Sequence, residues 1–123
     1  MKNLKKVIFK NYIIEVDCIS YSPEYTLTRC GFYVNNPNSG KRMRFWGVDF
    51  SSFDKTGNVL IKFGEEYKLR FEVEDHYFKL YYNNEIIFEG SCMGGQCESS
   101  EIGLCSLKGN NYFKNFKFKS LSI

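Results

Sequence analysis

The chain has 123 residues, 43% of them hydrophobic and 18% aromatic, with two prolines and a formal charge of +3. That length supports one domain, residues 1–123, with a core of its own, and the composition excludes disorder and low complexity. The small charge, with lysines and acids interleaved, excludes a strong electrostatic drive toward nucleic acid or an anionic membrane.

Residues 1–16 carry lysines followed by apolar residues, but Lys10 and Asn11 interrupt the run and Glu15 and Asp17 close it. A secretory leader needs a longer apolar centre, and no stretch reaches bilayer-spanning length, so neither a leader nor a membrane partner is expected. From there on strand signals dominate, because apolar residues alternate at period two and no segment sustains a helical period. Strands are predicted over residues 12–19, 27–35, 41–50 and 59–63, with turn chemistry at 35–40 and 54–58. Residues 67–73 give the clearest pattern: Tyr67, Leu69, Phe71 and Val73 point one way, and Lys68, Arg70 and Glu72 the other. A turn at Glu74, Asp75 and His76 leads into residues 77–82, where Phe78, Leu80 and Tyr82 alternate with Tyr77, Lys79 and Tyr81. Asn83-Asn84, a pair that tolerates positive φ, then closes a tight hairpin into residues 86–88. Residues 90–100 read as a polar, glycine-containing loop, followed by strands at 102–106 and 112–123 joined by a turn at 108–111. About nine short strands without an interior linker predict an all-β, antiparallel two-layer sandwich or barrel.

Five cysteines, Cys18, Cys30, Cys92, Cys97 and Cys105, leave one unpaired if the others bridge, and their spacing matches no zinc pattern. Buried free thiols are the expectation, and with the absent leader the odd count weighs toward the cytoplasm. The alternative is a local bridge between Cys92 and Cys97, which the intervening Gly94 and Gly95 would let close and which would argue for export.

In residues 64–90 and 101–121 the order of signals is a strand into Tyr81-Tyr82-Asn83-Asn84, then Ile102-Gly103-Leu104, then Phe113-Lys114-Asn115-Phe116-Lys117-Phe118. This succession resembles the closing strands of concanavalin A-like sandwiches, such as laminin G-like modules and the jelly-roll domains of 3-keto-disaccharide hydrolases. Those read "vyvNg", "iGl" and "f-x-n-f-x-v". Residues 11–17 and Cys30-Gly31-Phe32-Tyr33 are similar to the family's opening strands. The resemblance implies a shortened jelly-roll sandwich, in a family where a concave sheet face or rim loops bind carbohydrate in many members and protein in others. Asn84 stands where the family has glycine.

Hydrolytic members of that fold carry two glutamates around an aspartate on one strand, so that alternate carboxylates share a face at the separation glycoside cleavage needs. Glu15-Val16-Asp17 begins the pattern, but Ile19 and Ser20 occupy the places of the second glutamate. Glu72 and Glu74 also share a strand face, opposite an apolar stripe, and read as solvated surface. His76, the sole histidine, falls in a turn with no nucleophile marked for it, and Asp54 and Asn58 offer too few oxygens for calcium. No catalytic residue, metal or cofactor is therefore expected.

Residues 41–50 are more informative. As a strand they place Arg42, Arg44 and Trp46 on one face and Met43, Phe45 and Gly47 on the other. The preceding strand would send Cys30, Phe32 and Val34 to the core and leave Arg29, Tyr33 and Asn35 beside the arginines. An aromatic plane flanked by forked donors suits a sugar ring, and equally a stacked base or a protein interface. Against this stands a Trp46 buried in the core with arginines merely lining an outer surface. Tyr77, Lys79 and Tyr81 form a second exposed set, for which cross-strand pairing is the simpler account. Lys114, Lys117 and Lys119 read as edge protection. The expectation is a non-catalytic recognition module whose ligand meets Arg29, Tyr33, Arg42, Arg44 and Trp46. Carbohydrate is the expected ligand, a protein partner or homo-oligomer the alternative, and a small glycoside hydrolase a third reading; nucleic acid is not expected.

Overall fold

A computed structural model gives the fold and describes residues 8–21, 29–38, 40, 42–49, 55–56, 59–60, 62–92, 97–107 and 110–121. Ten strands lie among them: β1 (Tyr12–Tyr21), β2 (Arg29–Asn35), β3 (Arg42–Asp49), β4 (Lys55–Thr56), β5 (Val59–Leu60), β6 (Tyr67–Glu74), β7 (Tyr77–Tyr82), β8 (Glu85–Ser91), β9 (Glu101–Leu107) and β10 (Asn110–Ser120). A five-stranded sheet runs in the order β10-β1-β6-β7-β8, a three-stranded sheet runs β3-β2-β9, and β4 pairs with β5. Every pairing is antiparallel. This is an all-β jelly-roll sandwich, and among the described residues no helix is long and apolar enough to cross a membrane.

The pleat decides what the layers share. On β1, Tyr12, Ile14, Val16, Cys18 and Ser20 are buried and their neighbours are not, and β6 repeats the pattern with Tyr67, Leu69, Phe71 and Val73. Cys30, Phe32 and Val34 answer from β2. Phe71 links the layers: its ring centroid lies 5.9 Å from Phe32 and 4.5 Å from Phe45 of the facing sheet. A polar thread crosses the same core, where the Tyr67 hydroxyl meets Ser20 Oγ at 2.5 Å and Cys30 Sγ at 3.2 Å. Burial raises the Tyr67 hydroxyl well above its ordinary pKa, and the neighbouring Cys30 thiol, with burial, does the same to Cys18.

Several predicted boundaries move: Glu74, Asn110 and Asn111, read as turn, belong to β6 and β10, and Lys62 and Phe63, read as strand, lie outside one. β8 runs on through Gly90 and Ser91, read from the sequence as loop, because Gly90 sits opposite Phe78 where a Cβ would stand 3.0 Å from that ring. Glycine there permits a close approach within a strand. Lys55–Thr56, read as turn, pairs with Val59–Leu60. Predicted strand residues 27–28, 41, 50, 61 and 122–123 lie outside the described residues, as do Asp54, Asn58, Lys108 and Gly109.

The cysteines divide between the two readings that the sequence left open. Cys92 and Cys97, both buried, form a disulfide with their Cα atoms 5.6 Å apart, while Cys18, Cys30 and Cys105 are free thiols.

Candidate functional site

The outer face of the three-stranded sheet is built by the β2–β3 register. Asn35 pairs with Arg42, Tyr33 with Arg44 and Gly31 with Trp46, so the side chains between the buried Phe32 and Val34 emerge together on the solvent side. A shift in register between Cys30 and Gly31 leaves Gly47 as an extra residue of β3. Gly47 points inward, where a Cβ would meet the Leu69 side chain at 2.7 Å. Gly31 lets the β3 backbone approach beside Trp46, because a Cβ at 31 would fall 2.0 Å from the Phe45 carbonyl oxygen. Trp46 is therefore half-buried on the outer face rather than in the core.

Arg29, Tyr33, Arg42, Arg44 and Trp46 line one open cleft of about 720 Å³, with residues 104–107 of β9 as its other wall. Aromatic rings hold two of the cations. The Arg42 guanidinium lies 4.1 Å from the Tyr33 ring centre and that of Arg29 lies 5.7 Å from the Trp46 ring. Tyr33 donates its hydroxyl to Glu101 Oε1 at 2.7 Å, and the same carboxylate sits 3.8 Å from Arg42 Nη2. That hydrogen bond is the main reason the Tyr33 hydroxyl titrates above its ordinary value. Arg42 Nε also donates to Asn35 Oδ1 at 3.4 Å. Arg44 is exposed and has no ion-pair partner among the described residues. Burial pushes the Cys105 thiol up to about 11, so it is protonated at neutral pH and adds no nucleophilic thiolate to the cleft.

The β9 wall of the cleft, and Glu101, which holds Tyr33 from that strand, are what sequence reading missed. β9 was expected as a strand, but nothing local marks it as the neighbour of β2, and Tyr33 and Glu101 are 68 residues apart. Gly103 was the available signal. It faces Tyr33 across the ladder, and a Cβ there would stand 2.5 Å from the tyrosine ring, so glycine keeps the space in which Tyr33 lies.

No family model and no curated protein matches the chain. Solved structures do match. The carbohydrate binding module CBM66 from Bacillus subtilis aligns with a TM-score of 0.65 at 15% identity, over 93% of this chain and 78% of that one. A glycosyl hydrolase candidate from Parabacteroides distasonis gives 0.60 at 14% identity, over 94% and 74%. Sheep galectin-11, in complex with glycerol, gives 0.55 at 11%, over 96% and 100%. The fold is a concanavalin A-like sandwich.

Elsewhere in this concanavalin A-like sandwich, the other sequence candidates are occupied with one another. Glu15 pairs with Arg70 at 3.5 Å and Lys68 at 3.9 Å, and Asp17 accepts from Asn115 Nδ2 at 2.9 Å, so neither lines the cleft. Glu72 binds Arg70 and accepts the Tyr81 hydroxyl at 3.1 Å. Tyr77 donates to Glu89, which ties the Tyr77, Lys79 and Tyr81 face into cross-strand contacts. His76 is exposed in its turn, Lys114 pairs with Glu66, and Lys117 stands opposite Glu15 in the ladder. Among the described residues no group of three or more His, Cys, Asp or Glu side chains is placed to hold a metal ion.

Proposed function

We propose that the chain is a carbohydrate-binding module whose ligand occupies the outer cleft of the three-stranded sheet. The observation that carries this reading is the convergence of Trp46, Tyr33 and three arginines on one open cleft of about 720 Å³, a volume in the range of small-ligand sites. Trp46 supplies a flat apolar surface for the C–H face of a pyranose or furanose ring, and the guanidiniums supply forked donors for its hydroxyls. Ring contacts fix Arg29 and Arg42 before a ligand arrives, which lowers the entropic cost of binding. That a carbohydrate binding module and a galectin are among the similar structures supports the reading. Calorimetric titration with a chemically broad panel of oligosaccharides tests it. Binding that weakens about ten-fold in Trp46→Ala, or ~1.4 kcal/mol, is expected. Silence across the panel, or a Trp46→Ala variant that binds like the parent, would overturn it.

A second reading, docking of a protein or of another copy, draws on the unequal widths of the layers. Phe88 sits opposite Leu80 on β8 and Phe118 opposite Ile14 on β10, so both point to the core side, yet they are 46% and 38% exposed. Light scattering that shows a strict monomer across concentrations would count against self-association.

A further inference from the structure

The cleft's cations point to a narrower class of ligand. We infer that it takes a saccharide bearing an oxyanion, a uronate carboxylate or a sulfate ester, in preference to a neutral one, an inference that rests on the carbohydrate-binding reading above. Arg42 and Arg44 project from the same face of β3, two residues apart, so their stems are about 7 Å from each other along the strand. Both are permanently charged. Among the described residues one carboxylate, Glu101, lies beside Arg42, at 3.8 Å, and it is committed to the Tyr33 hydroxyl at 2.7 Å. Arg44 is left without a counter-charge among the described residues.

The position of Arg44 matters as much as its charge. It stands between Arg42 and Trp46 on the strand face, and Arg42 is already fixed by the Tyr33 ring at 4.1 Å and by Asn35 at 3.4 Å. A sugar ring stacked on Trp46 would turn an exocyclic carboxylate or sulfate toward Arg44, within the reach of about 7 Å that separates alternate residues of a strand. A guanidinium fork matches either group with paired charge-assisted hydrogen bonds, which are stronger than those to a neutral hydroxyl. A nucleic acid would instead need a basic track for successive phosphates, and the formal charge of +3 is dispersed among interleaved acids.

Calorimetry on the full chain at low salt decides the matter. The probes are an oligogalacturonate, a sulfated galactan oligosaccharide, a neutral galactan oligosaccharide of equal length and a single-stranded oligonucleotide. One or both anionic saccharides should bind at least ten-fold more tightly than the neutral one, and which of them does so separates carboxylate from sulfate. Arg44→Gln should shrink that preference to within about two-fold, and Arg44→Lys should retain part of it. Lys119→Gln, which removes the same charge from the distant β10 edge, should leave the preference as it was. Equal affinity for neutral and anionic saccharides would overturn the inference while the carbohydrate-binding reading stood. Absence of all saccharide binding would remove both. Tightest binding to the oligonucleotide, or equal losses in Arg44→Gln and Lys119→Gln, would also overturn it.

Discussion

Gly31 and Gly103 lie on paired strands beside the cleft, and adding one methyl to each should have different outcomes. At Gly31 the new Cβ meets backbone, the Phe45 carbonyl oxygen at 2.0 Å and Gly47 N at 2.9 Å. Backbone cannot rotate away, so Gly31→Ala is expected to cost about 2–3 kcal/mol in urea denaturation. At Gly103 the neighbour is the Tyr33 ring, which can swing out. Gly103→Ala should therefore cost under about 1 kcal/mol in stability and still weaken saccharide binding several-fold by calorimetry, because Tyr33 would leave the Arg42 guanidinium unsupported. Cys105 gives a pH signature at the same scale. Its thiol is pushed from an ordinary 9.0 to about 11, so the folded state holds that proton more tightly than the unfolded chain. The contribution is complete below pH 9 and is lost as pH rises toward 11. Urea midpoints should fall further between pH 8 and 11 in the parent than in Cys105→Ser.

At the scale of the element, the hairpins show which signals a strand sequence carries. Asp75-His76 and Asn83-Asn84 each hold two consecutive residues at positive φ, between 46° and 69°, as the two-residue turns that match strand twist require. The asparagine pair announced its turn because asparagine tolerates that region, and the Asn83 side chain reinforces it by accepting the Lys68 N–H at 2.8 Å. His76 is less suited to its φ of 61°. His76→Gly should gain about 0.5 kcal/mol and His76→Val should lose about 1–2 kcal/mol, read from urea midpoints. Strand faces were legible on the best-packed strands, since alternation in residues 12–19 and 67–73 maps directly onto burial on β1 and β6. Strand ends were not. Gly90 carries the same letter whether it breaks a strand or makes room for Phe78, and a ladder as short as Lys55–Thr56 with Val59–Leu60 is too brief to show a period.

For the molecule as a whole, the connection from β8 to β9 passes from an edge of the five-stranded sheet to an edge of the three-stranded one. The Cys92–Cys97 disulfide sits at that crossing, where Cys92 N–H bonds the His76 carbonyl at 2.6 Å and the Cys97 carbonyl accepts the Tyr12 hydroxyl at 2.8 Å. Closing so short a loop is worth about 2 kcal/mol by chain entropy. The double variant Cys92→Ser/Cys97→Ser should lose roughly that much in urea, and a reductant should destabilise the parent and leave the double variant unchanged. Sequence spacing left the bridge open, because only the 5.6 Å between Cα atoms decides it. The same long-range geometry hid half of the cleft. The arginine and tryptophan face followed from the pleat of a single strand, whereas Glu101 and residues 104–107 arrive only once β9 docks on β2. The position of Trp46 has an optical consequence as well. The chain's one indole lies outside the packed interior while several of its nine tyrosines line it. Indole emission should thus respond to an occupant of the surface before it responds to melting, and tyrosine absorbance should do the reverse. The molecule carries two separable spectroscopic channels without any label.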